Sequence, residues 1–154
     1  MPPGSPPLLD RIESAMRDSM RARDARRTQT LRMAMAAAHN RRIELGQGLT
    51  DEDVTDVLAK QVKQRRESIA VYRDAGRGDR ADEEEAEAAI LAEFLPEQLS
   101  PDEIGAMARE AIAATGASTP ADMGRVMAQL APRTKGRADG RAVSEVVRQL
   151  LGGG

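Results

Sequence analysis

The sequence predicts an all-α protein of two helical subdomains, an N-terminal helical bundle and a small C-terminal three-helix module. Apolar residues recur at helical spacing along nearly the whole chain. No run alternates β-branched or aromatic residues with polar ones, so nothing reads as a strand. Helix starts carry caps, most clearly Ser100-Pro101-Asp102-Glu103: serine caps, proline takes the first position and Glu103 can reach back.

In chain order, Met1 to Pro7 is proline-rich and is expected to be a disordered tail. Without a charged start or a following apolar segment, it is not expected to act as a signal peptide. Leu9, Ile12, Met16 and Met20 mark a first helix, with Arg11, Arg17 and Arg21 outside. A phase shift at Arg23 and Asp24 predicts a short break. Leu31 to Ala38 is apolar nearly all round and predicts a helix buried on most sides, closed by Gly46 and Gly48.

Thr50 and Asp53 cap a third helix carried by Val54, Val57, Leu58, Val62, Ile69 and Tyr72. Its other side is a basic stripe of Lys60, Lys63, Arg65 and Arg66, readable as a solvated face or as a binding face. Ala75 to Gly78 turns the chain, and Asp79 starts an acidic helix with Asp82, Glu83, Glu84, Glu85 and Glu87. Ala86, Ile90, Leu91 and Phe94 form its core face. Phase breaks at Leu95 to Leu99, which divides the subdomains into residues 8–95 and 96–151. Ile104, Met107, Ala111 and Ile112 form the next core face, with Gly116 at its end. Val143, Val146, Val147 and Leu150 form the last, and Gly152 to Gly154 are expected to fray.

The stretch Thr119 to Gly140 is the most suggestive for binding. Thr119, Pro120 and Asp122 read as a helix start, Met123, Val126, Met127 and Leu130 as its buried face, and Pro132 as its end. Gly124 inside this helix suggests a close approach by backbone or ligand. A loop with Arg133, Lys135 and Arg137 threaded through Gly136 and Gly140 follows, and Asp139 can cap another helix. Small residues let a polyanion approach while the cations supply counter-charge. The competing reading is an ordinary solvated turn.

Composition narrows the chemistry. The net charge is −2, so any anion binding is local rather than global. With no cysteine and one histidine, His39, neither thiolate nor clustered imidazole ligands are present, and no metal site or cofactor is predicted. Ser14, Ser19, Ser68, Ser100, Ser118 and Ser144 have no evident base, and Lys135-Gly136 has the wrong order for a phosphate-binding P-loop. No catalytic residue is assigned. One tyrosine and one phenylalanine, both expected in the core, leave no platform for stacking single-stranded bases. An RNA partner would be engaged through phosphates, riboses or folded shape. No apolar run reaches membrane-spanning length, and a cytoplasmic setting is expected.

Four runs carry a family resemblance: LRMAMAAAHN, KQRRESIAVYRDAGR, AILAEFLPEQLSPDEI and ADMGRVMAQLAPRTKGRADG. With these the chain resembles the GatB/YqeY-domain family from about Leu8 to Leu151. The resemblance implies an all-helical fold of two subdomains. In the amidotransferase that amidates glutamate or aspartate on misacylated tRNA, a related domain is the tail of the B subunit and helps hold the tRNA body. Similar domains are appended to a glutaminyl-tRNA synthetase. By position, the resemblance makes Arg125, Arg133, Lys135, Gly136, Arg137, Gly140 and Arg141 candidate RNA contacts. It implies tRNA as partner, together with an aminoacyl-tRNA synthetase or amidotransferase. Arginine replaces lysine at many places, and Phe94 stands where tyrosine is frequent. No catalytic cradle domain accompanies the tail, so the family's carbon–nitrogen ligation with glutamine as donor is not expected of the chain alone. The other readings are a protein adaptor docking through the acidic helix, and amide ligation in trans.

Overall fold

In the computed structural model, which describes residues 6–152, α1 (Pro7–Arg21) begins behind a buried Pro6. Proline suits this place because its fixed φ is helical and the missing N–H would have had no partner. The Leu8 N–H is instead held by the Asp51 carboxylate at 3.0 Å. Of the predicted tail, Pro6 and Pro7 belong instead to the helix start, and residues 1–5 lie outside the described residues.

Asp24 separates α1 from α2 (Ala25–Leu45) and caps the latter, accepting the Arg27 N–H at 3.1 Å. Gly46, at φ 68°, closes α2 in the left-handed conformation. Thr50 and Asp53 form a reciprocal capping box at the start of α3 (Asp51–Asp74). The fourth helix, α4 (Gly78–Ala92), starts one residue before Asp79. Leu8, Ile12, Leu31, Ala34, Ala38, Val54, Leu58, Val62, Leu91 and Phe94 share the core of this unit.

Burial corrects three expectations here. Along α2 it is one-sided: Leu31, Ala34 and Ala38 are buried, whereas Met33 is half exposed and Ala36 exposed. A run of alanine and methionine can be apolar all round without being covered all round. On α4 the deepest alanine is Ala81, a turn before the expected Ala86, and Tyr72 on α3 is only half-buried.

The chain divides between Leu95 and Pro96 into two compact units. In the second, Ser100 and Glu103 form the capping box of α5 (Pro101–Thr115), which ends at Gly116 with φ 69°. A 3-10 turn, Pro120–Asp122, leads into α6 (Met123–Thr134), and Asp139 caps α7 (Gly140–Leu150). The three helices pack pairwise around Ile104, Ala108, Ala111, Val126, Leu130, Val143, Val147 and Leu151. Among the described residues there is no strand.

Pro132 lies inside α6 instead of ending it. Proline removes one N–H, but the final turn survives. The Lys135 N–H reaches the Ala131 carbonyl at 3.0 Å, and buried Thr134 donates its hydroxyl to Leu130 at 3.2 Å. Gly124 is exposed, and among the described residues no other element comes within 4 Å of where a Cβ would stand. Gly124→Ala is expected to stabilise by roughly 0.5 kcal/mol through the unfolded chain. Gly124→Leu should melt like wild type, while Leu130→Ala should cost about 2–5 kcal/mol by opening a cavity. Denaturant melts of the three variants check this. A fragment of residues 96–152, which carries its own core, is expected to show helical circular dichroism and a cooperative melt; a coil spectrum would refute that.

Candidate nucleic-acid interface

The turn between α6 and α7 is strapped down. Gly136 has φ 74°, a conformation that only glycine adopts without strain. Its carbonyl accepts the Gln98 side-chain amide at 2.9 Å. The Arg137 carbonyl accepts the Leu99 N–H at 2.8 Å, and Arg137 Nε donates to the Glu97 carbonyl at 3.0 Å. Three bonds to the segment 97–99 thus fix the turn's path. The sequence marked this segment only as the boundary between subdomains; its bonds to the turn were not legible, since its partners lie about forty residues away.

The cations differ in what holds them. Arg137 is half-buried and its charge acts on Glu103. That carboxyl is held below its ordinary pKa first by the Ser100 N–H and hydroxyl, then by Arg137. Arg133 lies on the last turn of α6, 3.5 Å from exposed Glu110, a contact water screens heavily. Lys135 is exposed where α6 ends. Arg141, the second residue of α7, is exposed, and its side chain makes no hydrogen bond or ion pair among the described residues. Nothing stands within 4 Å of where a Cβ on Gly140, before it, would be.

Arg125 stands apart. It lies on the first turn of α6, roughly 12 Å along the axis from Arg133 at about 1.5 Å per residue. It donates to Asp122 at 2.7 Å and to the Thr115 carbonyl at 3.2 Å. The structure therefore gathers Arg133, Lys135, Gly136, Arg137, Gly140 and Arg141 at one turn and leaves Arg125 at the far end of the helix.

The second basic face also loses a member. Lys60, Lys63 and Arg66 are exposed, but the Arg65 side chain is only 11% exposed. It is held between Glu84, at 3.1 Å, and Glu87 of α4. Arg73 likewise reaches Glu85 at 2.9 Å and Asp82 at 3.5 Å. The acidic helix thus spends much of its charge on α3. Phe94 is buried with the Arg11 guanidinium 5.8 Å from its ring centroid, so it offers no face to a base.

From residue 9 to residue 151 the sequence matches the family of Yqey-like proteins. The chain belongs to that family. Similar chains include an uncharacterised protein of Schizosaccharomyces pombe, 34% identical over 62% of this chain and 77% of that one. Another is altered inheritance of mitochondria protein 41, mitochondrial, of Pyrenophora tritici-repentis, 27% identical over 94% of this chain and 81% of that protein. Among the described residues of this Yqey-like protein, no helix is long and apolar enough to cross a membrane. Nor does any group of three or more His, Cys, Asp or Glu side chains there converge as a metal site would require.

Asp122 anchors the start of α6. The N–H groups of Ser118 (2.9 Å) and Thr119 (3.2 Å) and the Arg125 guanidinium reach its carboxylate. Led by the Ser118 N–H, they lower its pKa to about 2. A carboxylate depressed by folding stabilises above its unfolded pKa, near 3.8, and the effect vanishes as pH falls through about 2. Asp122→Ala is therefore expected to lower the melting temperature at pH 6 and to converge on wild type toward pH 2. A gap of constant size across that range would contradict this.

Proposed function

We propose that this Yqey-like protein is a tRNA-binding accessory module of amidotransferase or aminoacyl-tRNA synthetase systems, acting in the cytoplasm. It grips the phosphates of folded RNA through Arg133, Lys135 and Arg141, and the strapped turn at Gly136 and Arg137 presents them. The observation that carries the reading is Arg141. A helix N-terminus has a partial positive charge and favours acids, and α7 has no acid in its first turn but an unpaired arginine. Such a cation opposes the helix that bears it and suits an external anion. The resemblance of this stretch to the amidotransferase tail supplies tRNA as that anion. The absence of a stacking platform points to phosphate contact rather than base reading. An adaptor role for the acidic helix is disfavoured by the pairing of Glu84, Glu85 and Glu87 with α3.

Full-length protein titrated with folded tRNA over a salt series tests this. Lys135→Glu combined with Arg141→Glu is expected to weaken binding strongly at low salt and to flatten the salt slope by about 0.9 per lost phosphate contact. Arg141→Glu should leave the melting temperature equal or higher, since an acid complements the helix start. The pair Lys63→Glu and Arg66→Glu is the control. Loss of affinity there and not at the turn moves the site to α3, and wild-type protein without salt-dependent binding ends the RNA reading.

A further inference from the structure

The junction of α1 and α2 has the hydrogen bonds of a Schellman turn. The Asp24 N–H reaches the Ser19 carbonyl at 3.0 Å and the Arg23 N–H reaches Met20 at 3.2 Å. The left-handed position in that motif belongs by preference to glycine. Here it is Arg23, at φ 57°, the one non-glycine residue with positive φ among the described residues. Gly46 and Gly116 fill the corresponding position after α2 and α5. Strain retained at one place points to a use for the side chain that glycine would lack.

An open groove lies beside that side chain. Met20 and Arg23 line one part, and Ala25, Thr28, Gln29, Arg32, Met33 and Ala36 of α2 line the rest. These α2 residues form a stripe opposite the buried Leu31, Ala34 and Ala38. Met20 is 51% exposed and Met33 50%, large apolar side chains left in water. No acidic side chain lines the groove, and neither the Arg23 nor the Arg32 side chain has a hydrogen bond or ion pair among the described residues. The nearest acids in sequence are occupied: Asp18 pairs with Arg21 at 2.8 Å and Asp24 caps α2.

We propose that this groove docks an acidic amphipathic helix of a partner protein, its apolar side chains on Met20 and Met33 and its carboxylates on Arg23 and Arg32. Charge complementarity selects this occupant. An apolar floor needs an apolar ligand, and a rim of unmatched arginines needs an anionic one. Ala25 to Ala36 spans roughly 16 Å, about three helical turns. Methionines adapt to the shape of an incoming helix. Nucleic acid fits less well, because the groove has no aromatic face for a base and its exposed methionines give nothing to a phosphate. The Thr28 hydroxyl is already bonded to the Asp24 carbonyl, which leaves Gln29 as the uncharged polar side chain within it.

The test selects random peptides of about sixteen residues, near the length at which isolated helices form, on the full-length protein. Met33→Glu is the counter-target, and a melting curve first establishes that it folds; Met33→Gln replaces it otherwise. Enriched peptides are expected to carry apolar residues at i, i+3 or i+4, and i+7, flanked by Asp and Glu. The best, made as a labelled peptide, should bind at least about tenfold more weakly to Arg23→Gly and to Arg32→Glu, as hot-spot residues do. Its acid-to-lysine version should regain affinity for Arg32→Glu. Arg23→Gly relieves the strained backbone, so it should melt at or above the wild-type temperature, which separates lost binding from lost folding. No enrichment over the counter-target, enrichment of neutral or basic peptides, or wild-type affinity for Arg23→Gly and Arg32→Glu each overturns the proposal. If Arg23→Gly instead weakens tRNA binding and no acidic peptide is selected, the groove belongs to nucleic acid.

Discussion

A guanidinium taken mostly out of water must keep an anion beside it, and Arg65 imposes that requirement on the first unit. Its side chain lies between Glu84 and Glu87, fixing how α4 lies along α3. Buried ion pairs contribute little net stability compared with apolar packing, yet losing one partner is costly, so they enforce register more than they add strength. Val54, Leu58, Val62 and Leu91 supply the attraction. The arginine decides which turn of α4 faces which turn of α3. One contact thereby settles two surfaces: the basic stripe of α3 is narrower than its sequence implies, and the acidic helix is less acidic toward solvent.

The same accounting sorts the cations of the second unit. The chain has 23 lysines and arginines against 25 acids, so most positive charge has an internal destination. Arg125 belongs to the Asp122 anchor and Arg137 to the strap on Glu97. These arginines are structural before they can be anything else. The strap matters for function nonetheless. Carbonyls at 136 and 137 already bonded to Gln98 and Leu99 leave the turn little freedom to lose when a ligand arrives.

Local features were the legible ones. Caps at Thr50 and Ser100, the glycine ends at Gly46 and Gly116, and the break at Arg23 follow from residues within four positions of each other. Errors arose where a distant partner or a tolerated exception decided the matter. Pro132 reads as a stop, but in a last turn with Thr134 buried it removes a single bond. The run Leu31 to Ala38 reads as all-round core, whereas exposed methionine and alanine are compatible with water. Arg65 reads as surface because Glu84 and Glu87 are nineteen and twenty-two residues ahead. In the candidate site, the residue types and their turn were legible. Which cations remained uncommitted was not, because that depends on Glu110, Glu97 and Asp122 being in reach.

What distinguishes a working cation from a structural one is whether the fold would prefer something else there. Arg125 and Arg137 have partners and agree with their surroundings, and Arg133 has only the screened contact with Glu110. Arg141 does not agree with its surroundings: it is a cation in the first turn of α7, against the field of the helix, and while its N–H reaches the Asp139 cap its guanidinium pairs with no carboxylate among the described residues. Arg23 does not either: it occupies a left-handed position where glycine would relax the turn. A sequence serving folding alone would have an acid at 141 and a glycine at 23. Each unit therefore carries one arginine that its own helices do not explain, beside a surface whose remaining chemistry differs. At Arg141 the turn also carries Lys135 and Arg133, and nothing stands within 4 Å of where a Gly140 Cβ would be, which suits phosphate. At Arg23 the neighbours are exposed methionines, which suit an apolar helix with acids along its edge. The local conflict identifies the residue, and the surroundings identify the class of ligand.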